Sequence, residues 1–572
     1  MPHVRPRPLS LRRGIVTPIR PLTHVAVGQA ALKRGAWKDA KRQFQAALAR
    51  GDDPAAHEGL GLAAWWLDQA DLVFESRQRA YRLYRQRGDR ASAARVAVWL
   101  AWDSAAFRGE MAVANGWLQR AHGLIDGQPD CAEHAWLDVR EGIFALLEHA
   151  DPDRALALAN DAMRIGRDVG AIDFEMIGGA LRGFALVTAG QVPEGMRQLD
   201  EVNAAVLAGE LSNPVAIGLA GCYLVGACER VRDSERAAQW CRRLKRFCTT
   251  WGLRPLLAVC RTQYASMCVW RGDWAEAEKE LVTATDELVA SRPAMSGEGQ
   301  ARLGELRRRQ GRFDEAAELF DEAGHHPLAL LGRVALGLDR GEPKKAADLA
   351  DRYLRHLPKQ NRTERAAGLE LLTRASAAVG ALDRARQALA ELEAIARDVQ
   401  TEPLEAAASL ARGHVAAAAG DEDDARRHFE DAVDLFQRSG APFETARARL
   451  DLARTLGRLG QTSAALEEVR RAVRALSGVA AAFELSQARA LEAQLQAAPT
   501  TGKSRSPAVG LTRREIEVVR LIAGGASNER IGQRLFISSH TVHRHVANIF
   551  TKLNVRSRAA IVAKAADLKL LV

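Results

Sequence analysis

The sequence predicts an all-α protein in which a long stack of helical hairpins precedes a small four-helix domain. Three observations predict it. The chain has 572 residues, several times the length of one typical domain. One small set of residues recurs along its middle at a nearly fixed interval, and the final stretch from Leu511 to Val572 carries helix start and stop signals in order. Hydrophobic residues make up 47% of the chain and charged residues 27%, a globular composition. No apolar run is long enough to span a bilayer, which argues against a membrane-embedded protein.

The chain opens on Met1-Pro2-His3-Val4-Arg5-Pro6-Arg7-Pro8, with further arginines at 12, 13 and 20. Prolines break it and it lacks the apolar stretch of a secretory signal, so residues 1–20 read as a disordered basic tail or as sequence upstream of the true start. Net charge is +10, unevenly spread: residues 511–572 carry +7, residues 1–20 carry +5, Lys503 and Arg505 add two more, and the long middle is about −4. Basic charge at the ends suits a polyanion partner at one of them.

Residues 21–496 hold the repeat. Gly35, Trp37, Ala40, Phe44 and Ala47 set the pattern, which returns as Gly311, Phe313, Ala316, Phe320 and Ala323. It returns again from Gly272 (Trp274, Ala277, Leu281, Ala284), Gly420 (Ala425, Phe429, Ala432) and Gly460 (Ala465, Val469, Ala472). Weaker copies start at Asp68, Gly109, Ala150, Gly190, Arg232, Gly341 and Gly380, giving about twelve hairpins. The anchor ends one helix in a left-handed turn, and the small residue five positions on lets the next helix approach closely. A large residue four further on and a small one three beyond it share that face. This pattern resembles the tetratricopeptide repeat, although successive anchors mostly lie 39 to 42 residues apart, longer than the standard unit of about 34 residues.

Seven cysteines, six of them between 222 and 268, include no C-x-x-C pair and read as small apolar residues of helix faces. Eleven tryptophans, among them Trp65-Trp66, read as packing residues, with an aromatic ligand pocket as the alternative.

Residues 497–510 are polar and interrupted by Pro499 and Pro507, a flexible linker. Gly502-Lys503-Ser504 ends like a nucleotide-binding loop. Ala497 occupies the position of the required earlier glycine, the preceding text is helical, and Pro507 cuts off a following helix, so the loop is rejected. With no metal-ligand cluster or nucleophile motif either, no cofactor and no enzymatic activity are expected.

From Leu511 the start and stop signals are dense. Thr512 to Glu515 reads as a capping box, Ile516, Val519 and Ile522 or Ala523 as an inner face, and Gly524-Gly525 as the stop. Ser527 caps a second helix that turns Ile531 and Leu535 inward. After Phe536-Ile537, Ser538 or Ser539 caps a third helix with Val542, Val546, Ile549 and Leu553 inward. A fourth helix runs from Arg558 to about Leu570. A short turn joins the second and third helices, and polar residues cover the third's outer face, as in a helix-turn-helix.

These residues resemble the LuxR-type domain: Leu511-Thr512, Arg514-Glu515, Ser527-Asn528, Ile531, Leu535, Ile537-Ser538, Thr541-Val542, His545, Ile549, Lys552-Leu553, Val555 and Arg558-Ala559 fit its pattern. Arg530 and Gly532 depart from it, standing where Glu and Ala are usual. The resemblance implies a sequence-specific DNA-binding transcriptional regulator on double-stranded DNA, acting in the cytoplasm and on the bacterial nucleoid. It implies base reading by His543, Arg544 and Ala547. Arg544 suits guanine, to which a guanidinium bonds bidentately. Ser539, Thr541, His545, Lys552 and Arg558 are the phosphate-positioning candidates; for His545, helix packing is the alternative. Ile561, Ala565, Leu568 and Leu571 form an apolar stripe that the resemblance links to a homodimer on DNA. As a whole the chain resembles large LuxR-type regulators with tetratricopeptide-like sensor regions, without the ATPase module many of those carry. That implies a protein or small-molecule effector on the repeats. The competing reading is an interaction scaffold that docks on DNA without sequence selectivity.

Overall fold

A computed structural model describes residues 23–497, 511, 513–535, 539–555, 557–568 and 570, leaving out the side chains of 254–257, 513, 539–541, 544 and 551. The described residues contain helices and connecting turns and no strand.

All twelve anchors read from the sequence lie in left-handed backbone, the non-glycine Asp68, Ala150 and Arg232 included, with φ of 57°, 54° and 60°. Each anchor joins two antiparallel helices, so helices α1 (His24–Lys33) to α24 (Thr462–Gly478) pair into hairpins and α25 (Ala482–Ala497) packs on the last. The residues that follow each strong anchor do the packing. Ala40, Ala277, Ala316, Ala425 and Ala465 are fully buried, and so are Phe44, Leu281, Phe320 and Val469, with Phe429 nearly so. Their large rings press on glycines of neighbouring helices: a Cβ at Gly59 would stand 2.3 Å from the Phe44 ring, and one at Gly332 would stand 2.2 Å from Phe320. Helices approach this closely only where a side chain is missing, and the ring fills the space that it would occupy.

Most successive odd-numbered helices pack against one another and line the inside of a superhelix, and each even-numbered helix up to α24 lies against the odd-numbered one before it. Successive superhelical turns touch. The Trp37 indole donates to the Trp251 carbonyl at 3.1 Å, Arg230 pairs with Glu364 at 3.0 Å, and Arg309 of α15 (Ser296–Arg309) pairs with Glu444 of α23 (Pro442–Arg458) at 2.6 Å. The three non-glycine anchors all sit at such contacts. Asp68 receives Arg292 at 3.0 Å, the Ala150 carbonyl accepts from Asn361 at 3.4 Å, and Arg232 pairs with Glu370 at 2.8 Å.

The cysteines follow the expectation of buried apolar residues at Cys228, Cys241, Cys248, Cys260 and Cys268; Cys131 and Cys222 are part-buried. The tryptophans of the first hairpins pack on one another, with Trp37 and Trp66 stacked at 5.1 Å and Trp65 edge-on to Trp66 at 4.7 Å. No helix among the described residues is long and apolar enough to cross a membrane.

Two stability predictions follow from this geometry. Gly311 and Gly420 share nearly the same φ, 82° and 81°, but a Cβ at Gly311 would meet the Phe483 backbone at 3.0 Å, whereas one at Gly420 meets nothing within 4 Å. Gly420→Ala is expected to cost about 1 kcal/mol, the backbone price alone. Gly311→Ala is expected to cost more and to lower the thermal unfolding midpoint further; equal shifts would contradict the turn-to-turn contact. The second concerns His414 of α21 (Glu402–Ala418), 3.4 Å from Asp451 of α23. Burial holds its imidazole down at about 4, against an ordinary 6.5. The unfolded chain therefore takes up the proton first, and stability falls as pH drops from about 6.5 toward 4, by roughly 2 to 3 kcal/mol in all. Denaturant midpoints measured between pH 7 and pH 4.5 should fall less steeply in His414→Gln.

Candidate nucleic-acid interface

Four short helices close a second core. They are α26 (Arg513–Ala523), α27 (Asn528–Leu535), α28 (Ser539–Leu553) and α29 (Arg558–Asp567). Leu511, Val518, Val519, Ile522, Ile531, Val542, Val546, Ile549, Leu553, Ile561 and Ala565 are buried together. Val518 takes a place in this core that the sequence pattern did not single out, and Ile516 and Leu535 are only partly buried.

The local signals act where the sequence puts them. Gly525 ends α26 at φ 74°, with its N–H on the Ile522 carbonyl at 3.0 Å and that of Ala526 on Leu521 at 3.1 Å. The Ser527 hydroxyl caps α27 by accepting the Arg530 N–H at 3.3 Å, and Ser557 caps α29 by accepting that of Ala560 at 3.1 Å. Helix α29 ends at Asp567, a few residues short of the expected Leu570. Thr512, Phe536, Ile537, Ser538, Arg556 and Leu571 lie outside the described residues.

In α28 the buried positions Val542, Val546, Ile549 and Leu553 turn one face to the core, and His543, Ala547 and Asn548 are exposed on the other. The backbone of Ser539, Thr541 and Arg544 belongs to this helix, and their side chains lie outside the described residues. His545 is buried, with 6% of its surface exposed, which fits packing better than phosphate contact. Two other phosphate candidates have internal partners. Lys552 donates to both oxygens of Glu515, at 2.9 and 2.8 Å, and that carboxylate is buried. Arg558 bonds the Ala526 carbonyl at 2.8 Å and the Asn528 side chain, tying α29 to the start of α27. Arg514, matched in the sequence without a role, donates to the Leu535 carbonyl at 2.6 Å and to Glu517 at 2.7 Å. It thereby satisfies the C-terminal end of α27. An arginine near the start of one helix gives no local sign of a partner 21 residues away. Of the apolar stripe on α29, Ile561 and Ala565 are in the domain's own core and Leu568 is half-buried, which removes two of its four residues from any dimer contact.

Residues 509–565 match the family described as bacterial regulatory proteins, luxR family, and residues 404–477 match a tetratricopeptide repeat. The C-terminal unit is thus a LuxR-type helix-turn-helix domain, with tetratricopeptide repeats upstream. Transcriptional regulatory protein LiaR of Bacillus subtilis is 45% identical over 65 residues, 11% of this chain and 31% of that protein. Transcriptional regulatory protein DegU of Brevibacillus brevis is 48% identical over 60 residues, 10% of this chain and 25% of that protein. A nitrate/nitrite response regulator homologue of Haemophilus influenzae is 51% identical over 55 residues, 10% of this chain and 26% of that protein. The chain therefore spans less than a third of the length of these relatives. Among solved structures, a Rap protein complexed with competence and sporulation factor aligns at 12% identity and a TM-score of 0.47, over 61% of this chain and 99% of that one.

The Lys552–Glu515 pair is expected to hold α28 against α26. Lys552→Ala leaves a buried carboxylate without its cation and should destabilise the domain by about 1 to 3 kcal/mol. Adding Glu515→Gln should recover part of that loss; thermal unfolding of the two single variants and the double variant measures the coupling.

Proposed function

We propose that this protein is a sequence-specific DNA-binding transcriptional regulator, in which α28 reads the major groove and the helical repeats sense a small ligand or a protein partner. The observation that carries the reading is the pair α27 and α28, seated in a well-formed core and matched by the luxR family over residues 509–565. In this reading the chain divides into a tail (1–20), a repeat region (21–496), a linker (497–510) and the reader (511–572), and it works in the cytoplasm.

His543, Arg544 and Ala547 follow one another along the face of α28 opposite its buried stripe, and we assign them to base edges. Ser539 and Thr541 at the start of the helix suit phosphates, since backbone N–H groups and the helix dipole there favour an anion. Lys552 and Arg558 are assigned to phosphates while each also ties two helices of the domain together. The match of residues 404–477 to tetratricopeptide repeats supports partner or effector binding upstream.

Enrichment of bound fragments from genomic DNA is expected to give a consistent half-site. Arg544→Ala should cost about 1 to 3 kcal/mol on that site and little on random DNA. Equal losses on both would sink the base-reading assignment, and no consistent half-site would favour a scaffold that docks on DNA without selectivity.

A further inference from the structure

Inside the first superhelical turn, hydrogen-bond donors outnumber acceptors. Arg77 of α4 (Ala70–Gln86), Arg140 of α7 (Ala132–Leu147) and Arg292, just beyond α14 (Trp274–Ser291), are each at most 1% exposed. Asp103 receives Arg77 and Asp68 receives Arg292. Arg140 has no such partner: none of its three guanidinium nitrogens has a hydrogen-bond acceptor among the described residues. Its guanidinium carbon lies 4.2 Å from the ring centre of Trp102 and 4.6 Å from that of Trp136. The buried Trp136 indole N–H and Tyr223 hydroxyl, one nitrogen of Arg77 and two of Arg292 also lack partners among the described residues, against one unpartnered acceptor near them, the second oxygen of Asp103. Burial draws Arg140 down to about 10, with Tyr223 and Asp103 as the groups that oppose this most.

Later hairpins show the commoner arrangement. A cavity of about 310 Å³ between them is also lined by arginines, and Arg232, Arg302 and Arg309 there bond Glu370, Glu229 and Glu444. Arg374 on the same lining pairs with no carboxylate among the described residues and is drawn down to about 10 by burial. It and Arg140 are the exceptions among arginines that are otherwise matched, and Arg140 is the one packed beside aromatic rings and unpartnered donors.

A buried guanidinium, an indole N–H and a phenol supply donors only, apart from the phenol's lone pairs; their complement is a group with several lone pairs and negative charge. Tryptophan rings beside the cation favour a flat, apolar body. We propose that the first superhelical turn is a binding site for a small oxyanion-bearing molecule, a carboxylate or a phosphate, whose anionic group is held by Arg140 beside Trp102 and Trp136. This deepens the sensor reading above and rests on it only for its regulatory meaning, because binding is measured without DNA.

The test titrates the full chain with sodium benzoate, sodium acetate and sodium phosphate at constant ionic strength, with sodium chloride as the baseline, and follows tryptophan emission and the thermal midpoint. Expected is a saturable change with at least one oxyanion, benzoate marking a carboxylate site and phosphate a phosphate site. Arg140→Met should raise the half-saturating concentration at least tenfold, Arg140→Lys should retain part of the response, and Tyr223→Phe, which removes one hydroxyl, should weaken it severalfold in a folded protein. No saturable response to any oxyanion, the same response to chloride, or an unchanged response in Arg140→Met would overturn the site. If Arg140→Met does not fold, an unchanged response in both Arg140→Lys and Tyr223→Phe would overturn it. Selective DNA binding without an anion response overturns the site and spares the reader; an anion response that leaves DNA selection unchanged upholds the site and removes its sensor role.

Discussion

A chain reversal made by one residue in left-handed backbone is the constraint on which the array depends. It turns each helix back on its predecessor so tightly that the alanine five positions on meets the partner helix directly. Glycine makes that reversal without strain, whereas a side chain there costs about 1 to 2 kcal/mol. The three anchors that bear this cost each bond to the neighbouring superhelical turn, Asp68 and Arg232 through their side chains and Ala150 through its carbonyl, whereas glycine anchors such as Gly35 and Gly311 meet that turn by close approach alone. Local strain is accepted where the residue also holds one turn on the next. Ala150 contributes only backbone to its contact, and nothing in its surroundings explains why glycine does not occupy that position.

Winding the hairpins into touching turns creates an interior, and several arginines are buried in it. Burying an arginine is tolerable when a carboxylate is buried with it and costly when its cation is left alone. Arg302 with Glu229 and Glu298, and Arg308 with Glu305 and Asp339, are of the first kind. These pairs also impose register, since each fits only one relative placement of its helices. An array built from near-identical alanine-rich faces would otherwise slide with little penalty.

The hairpins were legible because their signals are local. An anchor, a small residue and a large one, at offsets of five and nine, are enough to place a turn and a buried face, and even the weak anchors hold the left-handed turn. The same was true of Ser527, Gly525 and the buried stripe of α28. What the sequence concealed is long-range. Nothing near Arg292 points to Trp65 and Asp68, 227 and 224 residues away, and nothing near Lys552 points to Glu515. Lysines and arginines read from a helical wheel look free, because the wheel shows a direction but not the neighbour waiting there. His545, a phosphate candidate with helix packing as the alternative, is buried, which favours the alternative.

That difference bears on how the charge of the chain should be read. A net charge of +10 suggests nucleic-acid binding by the whole molecule, yet the long middle is about −4 and many of its arginines are spent on carboxylates within and between hairpins. A paired, part-buried arginine contributes little to the field that draws in a polyanion. Even in the basic domain, Lys552, Arg558 and Arg514 bond to protein groups and hold helices in place. The pull on a polyanion therefore depends less on the number of cations than on which of them the fold leaves facing outward. Matched charges thus hold the molecule in shape, while α28 keeps a short exposed face at His543, Ala547 and Asn548.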